Sequence, residues 1–149
     1  MKSQGGGANA ILARLDRIVA HHVAVLTRSP ERRVAHGVLL GCGLWVVNLH
    51  ATAHDSSAAE RDGMFAAEAA REWSRGDPLV LGGDFNLRAP QWPEFTHTGG
   101  HDVDHIFVAG AVRALGEAQV LDRGTLSDHA PVVVDVRLLA GEDDPEPDV

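Results

Sequence analysis

The sequence predicts a mixed α/β (α+β) sandwich of packed layers, on three observations. Short apolar runs bounded by Gly, Pro, Ser or Asp recur along most of the chain, as strands do. A single segment, 57–75, carries helix signals. Many strands with one helix suit layers around one core, and 149 residues suffice for one such domain.

Taken in order, residues 1–8 are Gly-rich and read as a disordered end, with the domain running over 9–139. Asn9–Leu15 is a short apolar run of strand or helix character. His22–Thr27 is a weak strand that stops at the Ser29-Pro30 turn. Arg33–Leu40 and Leu44–His50 are strands joined through Gly41-Cys42-Gly43, which reads as a hairpin. Ser57-Ala-Ala-Glu60 fits a capping box. It opens a helix to about Arg75, with Phe65, Ala69 and Trp73 expected on the packed face and Gly76 as its stop. Pro78–Gly83 is a buried strand, and 86–101 is a polar loop. Val103–Val108, Val112–Val120 and Ala130–Leu138 are the remaining strands. Residues 140–149 form an acidic, disordered tail.

Composition narrows the function classes. Apolar content of 44% and charged content of 23% are those of a globular protein. No apolar run is long enough for a membrane span, and MKSQGGGANA lacks the apolar core of a signal peptide. The expected location is therefore the cytoplasm by default, unless a targeting signal was lost with a preceding segment. One cysteine excludes an internal disulfide and a cysteine-rich zinc site, and Cys42, in an apolar run, is expected in the core. The net charge of −8 is uneven: five acids lie in GEDDPEPDV at the C-terminus. The first 33 residues hold Lys2, Arg14, Arg17, Arg28, Arg32 and Arg33 against Asp16 and Glu31. That third of the chain suits a phosphate, or is a set of scattered surface arginines.

Polar groups recur at the ends of the apolar runs. WVVNLH carries Asn48 and His50, GGDFN carries Asp84 and Asn86, and HDVDHIFV carries Asp102 and Asp104. Residues i and i+2 of a strand share a face, so each pair projects one way. LSDHAPVVV adds Ser127, Asp128 and His129 before the last strand, with Pro131 stiffening that approach. Singly, each is a common turn or cap. Together, carboxylates and amides without thiols suit a hard cation such as Mg²⁺ or Mn²⁺. The histidines add proton transfer near neutral pH. A histidine-based zinc site is the competing pattern: His50, His54, His97, His101 and His105 lie in segments around the proposed cleft, and His101 and His105 are four apart. That spacing needs a helix, and HDVDHIFV reads as a strand.

In this order, VVNLH, GGDFN, DVDHIFV and LSDHAPV resemble the signature motifs of the endonuclease/exonuclease/phosphatase family of metal-dependent phosphodiesterases. GANAILAR is similar to a strand in the middle of that domain. The resemblance covers about Asn9 to Leu138. It implies the C-terminal part of a two-sheet, four-layer α/β sandwich of the deoxyribonuclease-like type. It also implies roles. Asp84 would activate water and help bind metal, and Asn86 would hold water or a phosphate oxygen. Asp128 would bind the metal. His129 would donate to phosphoryl oxygens with Asp104 orienting it, and His50 would face the phosphate or leaving group. Asn48, Arg32 and Arg33 would contact substrate. Gly82 and Gly83 would let the backbone turn sharply there.

The implied substrate is a phosphoester: nucleic acid, phospholipid head group, or sugar or inositol phosphate. Arg88–Gly100, with Trp92 and Phe95, is the loop placed to select among them. Few aromatics and no basic stripe argue against tight duplex binding. The family's first-strand asparagine and its metal-binding glutamate have no counterpart, since Met1–Gly7 contains no acid and Glu31 and Glu60 lie in other contexts. Impaired catalysis is the expectation, with a non-catalytic, phosphoester-binding remnant as the alternative. Self-association or a complementing N-terminal half would cover the apolar sheet surface so exposed.

Overall fold

The computed structural model describes residues 9–139; the ends expected to be disordered, 1–8 and 140–149, lie outside them. The strands are β1 (Ile18–Thr27), β2 (Arg33–Leu40), β3 (Trp45–His50), β4 (Leu79–Asp84), β5 (Thr96–His101), β6 (Asp104–Ala109), β7 (Val112–Ala114), β8 (Gln119–Val120), β9 (Val132–Val133) and β10 (Val136–Leu138). The helix, α1 (Ser56–Ser74), lies between β3 and β4. Six strands make one sheet in the order β1-β2-β3-β4-β6-β5. Only β3 and β4 are parallel, because α1 carries the chain back between them. The other neighbours are antiparallel. β7 pairs with β10, and β8 pairs with β9.

Period-two alternation divides the sheet into two faces. Trp45, Val47 and Leu49 of β3, Leu79 and Leu81 of β4, and Phe107 of β6 are buried in the core that α1 covers. Phe85 and Phe107 meet edge to face there, 5.4 Å between ring centres. Each contributes about 1.5–3 kcal/mol by burial. The side chains between them, including Asn48 and His50, Val80 and Asp84, and Asp104 and Ile106, stand on the opposite face.

The helix departs from its expected cap and face. Asp55, not Ser57, is the N-cap, its carboxylate accepting from Ala58 N at 3.0 Å. The buried face is Ala58, Ala59, Asp62, Gly63, Ala66, Ala67, Ala70 and Ser74. Phe65 is 40% exposed, and Trp73 is half-buried over Gly37. Small residues let the helix approach the sheet closely, while Trp92 fills the space over Gly63. A Cβ at that glycine would overlap the indole. Arg75 adopts the left-handed conformation at the C-cap, and Gly76 follows with φ 96°.

Six further expectations change. β1 begins at Ile18, earlier than His22, and Asn9–Leu15 forms neither helix nor strand. The second half of the 86–101 loop is edge strand β5, hidden in sequence because THTGGH has no apolar alternation. Val112–Val120 and Ala130–Leu138 are each two short strands belonging to two different small sheets. Cys42 is exposed: it sits at the tip of the β2–β3 hairpin, where its N–H donates to Asp16 Oδ2 at 2.9 Å.

Candidate active site

Strand register builds the site. His50 of β3 lies opposite Asp84 of β4, and Asp84 lies opposite Asp104 of β6. Neighbouring strands are about 4.8 Å apart, so three ionisable side chains form one row at the sheet end, away from the helix. His50 Nε2 is 3.4 Å from Asp84 Oδ2. The two carboxylates are mostly buried, with side-chain exposures of 15% for Asp84 and 21% for Asp104.

Gly83 allows this row to form, though not by turning the chain. It has φ 142°, and a Cβ on it would overlap the Leu49 carbonyl oxygen of β3. Gly82 meets only ordinary contacts. The strand therefore continues in register through Asp84, which corrects the expected sharp turn at the glycines. The chain turns at Asn86 instead, with φ 51°. Its N–H donates to Asp84 Oδ1 at 2.9 Å, and its side-chain amide donates to Ala51 O at 3.0 Å. That turn binds Asn86 to the ends of both β3 and β4.

His129 reaches the row from the segment between β8 and β9. Its N–H donates to Ser127 Oγ at 3.0 Å. Its ring Nδ1 is 2.6 Å from Asp104 Oδ2, and its Nε2 is 3.8 Å from Asp84 Oδ2. An ionised carboxylate only accepts, so Nδ1 carries the hydrogen. This hydrogen bond, with the charges of Asp104, Asp84 and Asp128, raises the His129 pKa above its ordinary value against a smaller opposing effect of burial. Nε2 is left facing Asp84 with the ring biased toward imidazolium.

The remaining sequence candidates divide. Asn48 shares the face of His50 and donates from its amide to Ala10 O at 3.2 Å. It lines a cavity of about 900 Å³ with Gly82, Asp104, Ile106 and His129. Asp128 is exposed beside His129. Arg32 is exposed at the bend before β2. Arg33 alternates onto the helix side of the sheet, buried and paired with Glu31 at 2.6 Å, so the fold does not bring it to the row. Asp102 occupies the β5–β6 turn with φ 54° and pairs with Arg88 at 2.9 Å.

Among the described residues, Asp84, Asp104 and His129 are the group whose potential ligand atoms converge, all within 4.8 Å of one another. Two carboxylates on one face fit a hard divalent cation, since Mg²⁺ is commonly held by one or two carboxylates with water and phosphate completing its shell. The histidines expected around a zinc site do not gather: His105 turns to the helix side and bonds to His97. The sequence groups both with the cleft histidines rather than as a pair behind the sheet. The pair's only signal was the alternation of Asp104 and His105 along one strand.

The family model described as endonuclease/exonuclease/phosphatase matches residues 3–129. The fold is similar to a functionally unknown conserved protein from Enterococcus faecalis, with TM-score 0.69 and 16% identity over 83% of this chain and 67% of that one. It is similar to a mannosyl-6-phosphatase from Bacteroides thetaiotaomicron, with TM-score 0.65 and 19% identity over 83% of this chain and 67% of the other. TDP2 from Caenorhabditis elegans aligns with TM-score 0.62 and 16% identity over 87% of this chain but 52% of its own. No match was found among curated proteins.

Proposed function

The chain belongs to the endonuclease/exonuclease/phosphatase family, and from that premise we propose that it hydrolyses phosphoesters with a divalent cation, Mg²⁺ or Mn²⁺. The observation that carries the reading is the row His50-Asp84-Asp104 with His129 bonded to its end. Asp84, with Asp128 from the segment before β9, would hold the cation, which when bound would supply positive charge to the phosphate and acidity to water. Asp84 takes the proton of the attacking water. His129 donates from Nε2 to phosphoryl oxygens while Asp104 retains its Nδ1–H, so the imidazolium meets charge developing in the transition state. His50 stands on the other side of Asp84 to face phosphate or leaving group. Asn86, fixed at its turn, offers its amide to water or a phosphate oxygen, and Asn48 and Arg32 contact the remainder of the substrate.

The substrate is a nucleic acid, a phospholipid head group, or a sugar or inositol phosphate. Neighbours whose names include a phosphatase support a phosphoester without choosing among these. The test is release of nitrophenolate from bis-p-nitrophenyl phosphate with Mn²⁺ or Mg²⁺, followed by one substrate of each class. Metal-dependent release supports the hydrolase. Phosphate binding by calorimetry without any release supports a phosphoester-binding fragment instead. That second reading draws on the absence of a glutamate from the convergent group.

A further inference from the structure

Behind the catalytic row, on the helix side of the sheet, lies a second pair of imidazoles that the hydrolase reading does not use. His105 follows Asp104 on β6, so alternation sends it to the opposite face. It is 5% exposed, enclosed by Phe85 and Phe107. Its Nε2 is 2.7 Å from the carbonyl oxygen of Leu87, and its Nδ1 is 3.1 Å from His97 Nε2.

The hydrogens of this chain follow from its end. A backbone carbonyl only accepts, so His105 Nε2 must donate. In the neutral ring Nδ1 is then an acceptor, and His97 Nε2 must donate to it. Burial and the neighbouring His105 lower the His97 pKa, which favours its neutral form. β5 is shaped around the pair. A Cβ on Gly100 would stand 2.6 Å from His105 Nδ1.

Leu87 is the residue after Asn86. The turn that presents Asn86 is held at three other points: Phe85 N to Val103 O at 2.9 Å, Asn86 N to Asp84 Oδ1, and the Asn86 amide to Ala51 O. The His105 bond closes its far end. Asn86 stands at φ 51°, in the left-handed region that asparagine enters more readily than most residues, and these bonds fix it there. We propose that His105 is a positioning residue, acting through the Leu87 carbonyl to hold Asn86 at the site, with His97 donating to its remaining ring nitrogen. One dipeptide, Asp104-His105, thus orients His129 on one face and Asn86 from the other. The catalytic meaning of this role rests on the hydrolase reading; the tautomers and the tethering do not.

The experiment uses the whole ¹⁵N-labelled chain at a pH where both rings are neutral. Long-range proton–nitrogen spectra should show His105 and His97 each protonated at Nε2. In His105→Leu, hydrogen exchange at the Asn86 backbone amide should quicken about tenfold relative to β3 and β4 amides, as for one lost hydrogen bond. His105→Gln, whose amide can donate to the same carbonyl, should restore most of that protection. Should His105→Leu not fold, His105→Phe, a ring of similar size with no donor, takes its place and should quicken Asn86 exchange likewise. An unprotonated His105 Nε2 in the parent overturns the proposal. So does Asn86 exchange that is unchanged, or quickened only in step with the whole sheet, or no better with Gln than with Leu. None of these readouts needs turnover, so the hydrolase reading stands or falls separately.

Discussion

His129 donates its Nδ1 hydrogen to the Asp104 carboxylate across 2.6 Å, and that carboxylate belongs to the strand beside the one carrying Asp84. The bond sets the tautomer of the imidazole and favours its charged form. It also spans 25 residues of sequence, tying the segment between β8 and β9 to the large sheet.

The first prediction is the pH behaviour of this pair. The folded His129 pKa is raised, so the folded state binds a proton that the unfolded chain has released. The resulting stabilisation is fully present below the ordinary imidazole value of about 6.5 and is lost as pH rises through the raised folded value. NMR titration should place His129 above an ordinary histidine, and Asp104→Asn should bring it down. An unaltered His129 midpoint in that variant contradicts the assignment.

The second concerns Asp62, fully buried on α1. Its carboxylate accepts from Thr27 Oγ1 at 2.6 Å, Thr52 N at 2.8 Å and Thr52 Oγ1 at 2.6 Å. It joins β1, the segment after β3, and the helix. Asp62→Ala strands three donors and should cost about 2–4 kcal/mol in urea unfolding. A loss below about 1 kcal/mol means that water or new partners satisfy them.

These two relationships mark what sequence does and does not disclose. The residues of the row were visible because Asp84, Asp104, His129 and His50 each interrupt or border an apolar run. Their adjacency was not visible, since it depends on the β3–β4–β6 register, which no local pattern carries. The helix face was misread because alanine and glycine give little hydrophobic signal, while Phe65 and Trp73 give a strong one and lie at its margin. β5 was missed because two glycines and two histidines occupy places where a strand usually alternates. His105 was read with the cleft histidines although its neighbour in the strand already occupied that face.

The third follows from the small helix face. Gly63→Ala improves helix propensity by about 1 kcal/mol. The added methyl would overlap the Trp92 indole, and overpacking costs about 1–3 kcal/mol. Thermal and urea unfolding should show net destabilisation. Stabilisation would mean that the Trp92 loop moves aside freely.

The fourth is the division of labour around Asp84, whose Oδ2 lies 3.4 Å from His50 Nε2 and 3.8 Å from His129 Nε2. Under the proposed reading, His50→Ala leaves the cation in place and lowers turnover, by about 10²-fold for loss of a proton-transfer group. Calorimetry with Mn²⁺ should give the same affinity for His50→Ala and parent, and weaker binding for Asp84→Ala. Equal weakening in both assigns His50 to the metal instead.

The most direct measurement is hydrolysis of bis-p-nitrophenyl phosphate by the purified chain with Mn²⁺, with EDTA, and in Asp84→Ala and His129→Ala. The account predicts turnover that EDTA abolishes and that each substitution reduces by about 10²-fold or more while circular dichroism stays unchanged. Turnover that persists in EDTA, or in both folded variants, contradicts it.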